Sequence, residues 1–145
     1  MDVDETLLFD NQICFPLYSA ANAVVRAYRP LLSDLDLTYL QYMTLMLLWE
    51  RPQMTVKELG ERLALDSGTL TPLLKRLEAK GLVTRNRDKQ DERVRVIKLT
   101  PQGRALRKKA TGIPGQLACN IGLEKQQARQ IKKMCEHLLQ ALADD

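Results

Sequence analysis

The chain has 145 residues, of which 45% are hydrophobic and 28% are charged. This length suits one compact domain, 1–145, and the composition excludes wholesale disorder. The longest apolar run, Met43 to Trp49, is far shorter than the roughly 20 residues of a membrane span. The acidic start, Met1 to Glu5, lacks the basic residues of a secretory signal. We therefore expect a cytoplasmic protein without a membrane segment.

The net charge of +4 is unevenly distributed along the chain. Residues 1–54 carry 3 Lys/Arg against 7 Asp/Glu, whereas residues 55–100 carry 11 against 7. Clustered basic residues are typical of surfaces that bind phosphate backbones. The middle segment is thus the first candidate for a nucleic-acid site.

The N-terminal segment predicts one long helix that ends near Leu32. Asp10 or Asn11 can cap it, and apolar residues recur behind the cap at intervals of three and four. Pro16 would lie one turn inside such a helix, and a later start or a kink is equally compatible with it.

Three further helices are predicted over 39–50, 56–63 and 68–80. Thr38 and Thr55 each begin a capping box, and Asp66 or Ser67 can cap the third helix. The first of the three is apolar nearly all round and should be buried. Gly81 supplies a left-handed stop. The two short helices joined by a tight turn have the layout of a helix-turn-helix.

After this stop the hydrophobic period changes from 3.6 to 2, which predicts two strands, 82–87 and 93–99, joined by the polar turn 88–92. Thr100 and Pro101 then begin a long helix. Three residues are expected to bend or interrupt it: Gly112, Pro114 and Gly115. A last helix, 124–142, carries an apolar stripe. The predicted fold is mostly α with a small β-hairpin wing, a winged helix-turn-helix.

Polar and basic residues occupy the outward positions of this predicted lobe. On the second short helix they are Ser67, Thr69, Thr71, Lys75 and Arg76. On the hairpin they are Arg85, Arg87, Lys89, Arg93 and Arg95. Hydroxyls and cations suit base edges and phosphates, and a basic turn can enter a minor groove. The helical pair alone could be an ordinary helical hairpin, but the attached basic wing favours nucleic-acid binding.

These residues carry a family resemblance. The motifs LDSGTLTP at 65–72, LEAKGLV at 77–83, DER at 91–93 and LTPQG at 99–103 resemble the MarR family of dimeric winged-helix repressors. The resemblance implies that the helix with Ser67, Thr69 and Thr71 enters the major groove. It also implies that Arg93 lies at the wing tip in the minor groove and that Asp91 orients the wing.

The same resemblance implies a homodimer that reads a pseudo-palindromic operator in double-stranded DNA. It divides the chain into the dimerisation helices 10–33 and 101–143 and the DNA-binding lobe 55–100, with the wing at 82–99.

The segments 11–18, 28–32 and 37–42 are similar to the OhrR-type branch of this family, which senses organic hydroperoxides. The branch has a reactive cysteine at the position of Cys14 and hydrogen-bonding tyrosines at those of Tyr28 and Tyr39. Independently, Cys14 falls near a helix start, which favours the thiolate that attacks peroxide. Its apolar neighbours suit an organic peroxide. The alternative is that Cys14 is a small buried hydrophobe, as most free cysteines are.

Spacing limits which tyrosine can reach this cysteine. Tyr18 lies at i+4 from Cys14 and can approach it within one chain. Tyr28 lies fourteen residues away, about 21 Å along a straight helix. If Tyr28 stabilises the thiolate, as the resemblance implies, it comes from the partner subunit. The alternative for all three tyrosines is core packing.

Two other cysteines remain. In two-cysteine members of the branch, a cysteine near the position of Cys119 in the partner subunit resolves the oxidised sensor. Cys135 lies on the apolar stripe of the last helix, where we expect it to be core. His137 adds one ligand to Cys135, too few for a zinc site, and should face solvent.

Three classes of function remain open: a repressor that senses organic hydroperoxides through Cys14 and Cys119, a repressor released by a small ligand such as an aromatic compound, and a thiol peroxidase. The third is disfavoured because the sequence has no recycling CxxC and no catalytic His or metal set. We therefore expect no enzymatic activity, no cofactor and no metal.

Overall fold

The computed structural model describes residues 3–143. Its helices are α1 (Val3–Thr6), α2 (Cys14–Leu32), α3 (Tyr39–Glu50), α4 (Val56–Leu63), α5 (Ser67–Ala79), α6 (Pro101–Ala110), α7 (Ile113–Ile121) and α8 (Lys125–Leu142). Its strands are β1 (Gln53–Thr55), β2 (Val83–Arg87) and β3 (Arg95–Leu99), and 3₁₀ turns occur at Phe9–Asn11 and Ser33–Leu35. The described residues divide into two compact units, 3–113 and 114–143. The predicted mostly helical fold with a small β wing is confirmed.

The start of α2 differs from the prediction. Asp10 and Asn11 do not cap this helix, because they lie in a 3₁₀ turn and α2 begins only at Cys14. The Asn11 side chain donates instead to the carbonyl of Glu5 at 2.8 Å. Pro16 is consequently the third residue of α2, where a backbone N–H has no intrahelical acceptor and its absence costs little.

The predicted N-terminal caps of α3, α4 and α5 are confirmed. The Thr38 hydroxyl accepts from the Gln41 N–H at 3.3 Å, and the Thr55 hydroxyl accepts from the Glu58 N–H at 3.1 Å. Asp66 caps α5 through the Thr69 N–H at 2.9 Å. After α5, Gly81 has a φ of 76°, the left-handed conformation that glycine adopts without strain. These local bonds fix where each helix of the lobe begins and ends.

The sheet has the order β1-β3-β2, with both pairs antiparallel. The sequence analysis missed β1, whose central residue Met54 is buried and faces Ile97 of β3. β1 has only three residues, the last of which is the N-cap Thr55, and this is too short to show a period of two. The wing hairpin is therefore anchored by a third strand that directly precedes α4.

The core of the first unit lies under the helix-turn-helix and the sheet. Its fully buried side chains include Tyr42, Leu45, Leu48, Leu59, Leu74, Leu77 and Ile97. The predicted burial of α3 holds on one side of the helix only: Tyr42, Thr44, Leu45 and Leu48 are inaccessible, whereas Met46 is 37% exposed. One core thus holds α3, α4, α5 and the sheet together.

The second unit contains most of α7 and all of α8. A capping box joins Glu124 and Gln127 at the start of α8, as the Glu124 N–H donates to the Gln127 side chain at 3.1 Å. The predicted apolar stripe is exposed, with Leu139 61% and Leu142 73% accessible. Within residues 3–143, no helix is long and apolar enough to cross a membrane.

Candidate nucleic-acid interface and thiol site

The exposed face of α5 carries the predicted polar side chains. Four leucines of this helix are buried: Leu70, Leu73, Leu74 and Leu77. Four predicted contact residues are exposed, and Thr71 is half-buried; the exposed ones are Ser67, Thr69, Lys75 and Arg76. Burying the leucines therefore leaves hydroxyls and cations along the opposite side, the chemistry that reads base edges and phosphates.

The wing tip is closed by a local turn that holds Arg93 outward. Asp91 accepts from the Arg93 backbone N–H at 3.1 Å and from the Arg93 Nε at 3.2 Å. Asp88 and Val94 complete the turn, because the Asp88 N–H donates to the Val94 carbonyl at 2.8 Å. The Arg93 side chain is 91% exposed. The turn thus places a guanidinium at the end of the hairpin.

Arg85 differs from the other wing cations. Its side chain is only 21% exposed and lies 3.8 Å from the Glu78 carboxylate. The Arg85 backbone N–H also donates to Glu78 at 3.2 Å. Sequence reasoning missed Glu78, because no local pattern pairs a residue of α5 with one of β2. This pair joins the wing to α5, and the cations that remain exposed on the wing are Arg87, Lys89, Arg93, Arg95 and Lys98.

Cys14 is the first residue of α2, and its side chain is exposed. Aromatic rings surround this start of the helix: Phe15 lies 4.7 Å from Phe9 and 6.1 Å from Tyr18, between ring centroids. Ile13 is 88% exposed. The thiol is therefore accessible to a solute and stands among apolar side chains.

Tyr28 and Tyr39 come together, with ring centroids 4.9 Å apart, and Tyr42 lies 5.8 Å from Tyr28. Burial, followed by the neighbouring phenols Tyr39 and Tyr42, raises the pKa of Tyr28 above its usual value. Burial also raises the pKa of Tyr39. Both side chains therefore remain phenols, able to donate a hydrogen bond.

The structure does not bring Cys14 and Tyr28 together within one chain. Both lie on α2, which is continuous from Cys14 to Leu32. Fourteen residues of helix separate them by about 21 Å along the axis. Tyr18 packs beside Phe15 near the thiol, whereas Tyr28 and Tyr39 lie at the other end of α2.

The remaining cysteines both lie in the second unit. Cys119 of α7 is exposed, and Cys135 of α8 is half-buried. His137 is exposed, as predicted. Cys119 is thus an accessible thiol.

Comparison with known proteins gives a consistent result. The MarR family model matches residues 37–94. The chain is 49% identical over 125 residues to an organic hydroperoxide resistance transcriptional regulator of Bacillus subtilis (strain 168), covering 86% of this chain and 83% of that protein. This relative is a transcriptional regulator.

Solved structures of AbfR, a protein of Staphylococcus epidermidis, have the same fold. Reduced AbfR bound to DNA matches with a TM-score of 0.79 and 32% identity, covering 97% of this chain and 99% of that one. Disulfide-formed AbfR matches with a TM-score of 0.62 and 33% identity, covering 96% and 92%. With these matches, the chain belongs to the MarR family of winged-helix transcriptional regulators.

Proposed function

We propose that the protein is a homodimeric repressor that binds a pseudo-palindromic operator and releases it when an organic hydroperoxide oxidises Cys14. The observation that carries this proposal is an exposed thiol among apolar side chains, on a chain whose lobe presents a polar helix and a cationic wing. The identity of 49% to a regulator named for organic hydroperoxide resistance supports the choice of inducer.

DNA contact is assigned to two surfaces of the lobe. The exposed side of α5, with Ser67, Thr69, Thr71, Lys75 and Arg76, lies in the major groove. The wing carries Arg93 into the adjacent minor groove, where a cation meets enhanced negative potential. Arg87, Lys89 and Arg95 contact phosphates, while Asp91 and Arg85 hold the wing in place. The exposure of each side chain supports this division.

Dimerisation is assigned to the terminal helices, 10–33 and 101–143. Large apolar side chains are exposed there in the single chain, among them Ile13, Leu17, Ile131, Leu139 and Leu142. Apolar surface of this extent marks a protein interface. A two-fold dimer then presents its two α5 helices to the two halves of a pseudo-palindrome.

The sensing step is a balanced two-electron oxidation. The Cys14 thiolate attacks the distal oxygen of the hydroperoxide, the O–O bond breaks, and Cys14 becomes a sulfenic acid. The alkoxide leaves and takes a proton to become the alcohol. Tyr18 stands near the thiol in its own chain, and Tyr28 and Tyr39 of the partner subunit donate hydrogen bonds to the thiolate.

A second thiol completes the switch. Cys119 of the partner subunit attacks the sulfenic sulfur of Cys14, forming a disulfide and releasing water. The exposure of Cys119 supports this role. Disulfide-formed AbfR also fits this chain less closely than reduced, DNA-bound AbfR, with TM-scores of 0.62 and 0.79.

The test is a titration of operator DNA with reduced and hydroperoxide-treated protein, followed by fluorescence anisotropy. We expect the wild type to lose operator binding after treatment and Cys14→Ser to retain it. Mass spectrometry of the three cysteines identifies the oxidised residue. Release that persists in Cys14→Ser would overturn the sensor assignment.

A repressor released by a small ligand is the second candidate, because an apolar cavity of about 350 Å³ is lined by Val25, Arg29, Leu32, Leu37, Thr38 and Tyr39. The same titration distinguishes the two. Such a ligand would release operator from Cys14→Ser as readily as from the wild type, and a reductant would not restore binding.

A further inference from the structure

Lys80 makes an unusual set of contacts at the end of α5. It is the C-cap residue of that helix, where a lysine ordinarily faces the last carbonyls of its own helix. Its ammonium instead donates to the backbone carbonyl of Asp36, which lies 44 residues earlier in the chain. It also donates to the Gln41 side-chain oxygen at 2.9 Å and lies 3.8 Å from the Asp36 carboxylate.

Both partners of Lys80 are held in place by other parts of the structure. Asp36 is in a left-handed conformation with a φ of 53°, and its backbone N–H donates to the Ser33 carbonyl at 3.1 Å, which closes the turn between the second 3₁₀ segment and α3. Gln41 is only 3% exposed, and its oxygen also accepts from the Thr38 backbone N–H at 3.1 Å. One amide oxygen therefore accepts hydrogen bonds both from the N-cap residue of α3 and from the C-cap residue of α5.

The same turn of α3 carries the tyrosine cluster. Tyr39 lies between Thr38 and Gln41 in sequence, and its ring packs on Tyr28 at 4.9 Å. Tyr42 packs on Tyr28 at 5.8 Å and is 1% exposed. A displacement of this turn would accordingly move Gln41 and, through it, the ammonium of Lys80.

We propose that Lys80 is a positioning residue that couples the tyrosine cluster to the DNA-reading helix. Its bonds to Asp36 and Gln41 fix the C-terminal end of α5 on the first turn of α3. When that turn shifts, α5 shifts with it and the register of the two half-sites is lost. This inference rests on the proposed function, since it names the path by which thiol oxidation reaches the operator.

Three variants test the coupling. Lys80→Met removes the ammonium and keeps the length of the side chain. Gln41→Glu keeps a side-chain oxygen that can accept from the Lys80 ammonium. It also preserves the capping box with Thr38, since Glu and Gln both serve at this position of the box. Lys108→Met removes an equal charge from an exposed position on α6 that has no ion pair within residues 3–143. Thermal unfolding of each variant establishes that it is folded.

Each variant is titrated with operator and with random DNA, reduced and after hydroperoxide treatment, and its free thiols are counted. For Lys80→Met we expect roughly tenfold weaker operator binding when reduced, with unchanged affinity for random DNA. Hydroperoxide should then lower its operator affinity by a much smaller factor than in the wild type, although Cys14 is oxidised to the same extent. Lys108→Met should behave as wild type. Gln41→Glu, which keeps an oxygen acceptor for the ammonium, should retain the hydroperoxide response that Lys80→Met loses.

Two results would overturn the inference. One is a wild-type response of Lys80→Met to hydroperoxide. The other is a Lys80→Met variant whose affinity falls equally for operator and for random DNA and depends less on salt concentration, which would make Lys80 a phosphate contact. If oxidised wild type still binds operator, the proposed function fails, and the operator-specific loss in reduced Lys80→Met still decides whether Lys80 positions α5.

Discussion

The indole Nε1 of Trp49 donates a hydrogen bond of 2.9 Å to the backbone carbonyl of Gly103. This bond joins the end of α3 to the first turn of α6, and it needs the two helices to approach closely. Gly103 permits the approach because it has no Cβ. A Cβ built there would lie 2.3 Å from the Leu82 carbonyl oxygen and 2.7 Å from a methyl carbon of Leu99.

We therefore expect Gly103→Ala to lower the free energy of unfolding by about 1–3 kcal/mol, since the clash is with backbone that cannot move freely. Urea denaturation at a fixed protein concentration measures the change. Gly112→Ala is the matched control, because a Cβ at Gly112 would meet no heavy atom within 4 Å among the described residues. Equal stability of the two variants would contradict the tight contact.

Local signals made the helices and caps of the lobe predictable. Thr38, Thr55 and Asp66 each interact with a backbone N–H three residues later, so the pattern is complete within one turn. The left-handed stop at Gly81 is equally local. The sequence therefore predicted the helix-turn-helix and the wing from short stretches.

Contacts between distant segments were not predictable in this way. β1 forms only by pairing with β3, and Asn11 uses its amide on Glu5 instead of capping α2. The pairs Glu78–Arg85 and Gln41–Lys80 depend on how α5 packs against β2 and α3. Periodicity specifies which face of α5 is buried. It does not specify which residues of β2 and α3 lie next to Glu78 and Lys80.

The wing tip should contribute directly to operator affinity. We expect Arg93→Ala to weaken operator binding by roughly 1–3 kcal/mol, because a cation in the minor groove loses its charge and its hydrogen bonds. Anisotropy titration at physiological salt measures the loss. Lys125→Ala, which removes one exposed charge at the start of α8, serves as the control. Unchanged affinity of Arg93→Ala would remove the wing tip from the DNA contact.

Lys75 should act through phosphate charge and not through base recognition. We expect Lys75→Ala to weaken binding to operator and to random DNA by the same factor. The slope of log K against log salt concentration should become shallower by about 0.9 for one lost phosphate contact. Titrations at several salt concentrations, with Lys133→Ala as the control, measure both quantities. A loss confined to the operator would assign Lys75 to base reading.

The tyrosine cluster makes stability depend on alkaline pH. Burial, with the neighbouring phenols, raises the pKa of Tyr28 in the folded protein above its usual value of 10.0. Its contribution to stability is thus complete below pH 10 and is lost as pH rises through the raised pKa. Urea denaturation between about pH 9 and 11 should show a steeper decline in wild type than in Tyr28→Phe. Parallel declines would show that Tyr28 titrates alike in both states.

The intersubunit disulfide gives the most demanding prediction. A disulfide needs Cα atoms within about 7 Å, whereas thiols already so close in the reduced dimer would oxidise without an inducer. In the proposed mechanism, closing the gap displaces the start of α2, which holds Cys14, and breaks the proposed hydrogen bonds from the tyrosines. The terminal helices proposed to form the dimer would move with it and change the spacing of the two α5 helices. Moving the population from mostly bound to mostly released requires only about 5.5 kcal/mol of differential stability.

Non-reducing electrophoresis after hydroperoxide treatment measures this bond. Wild type should give a covalent dimer that a reductant converts back to monomer, while Cys14→Ser and Cys119→Ser should remain monomeric on the gel. Cys135→Ser is the matched control and should form the dimer as wild type does, because the half-buried Cys135 takes no part. A covalent dimer that persists without Cys119, or that needs Cys135, would refute the pairing. Oxidation of Cys14 precedes a disulfide with Cys119 or with Cys135. The sensing role of Cys14 would then be tested separately by measuring operator release from Cys119→Ser.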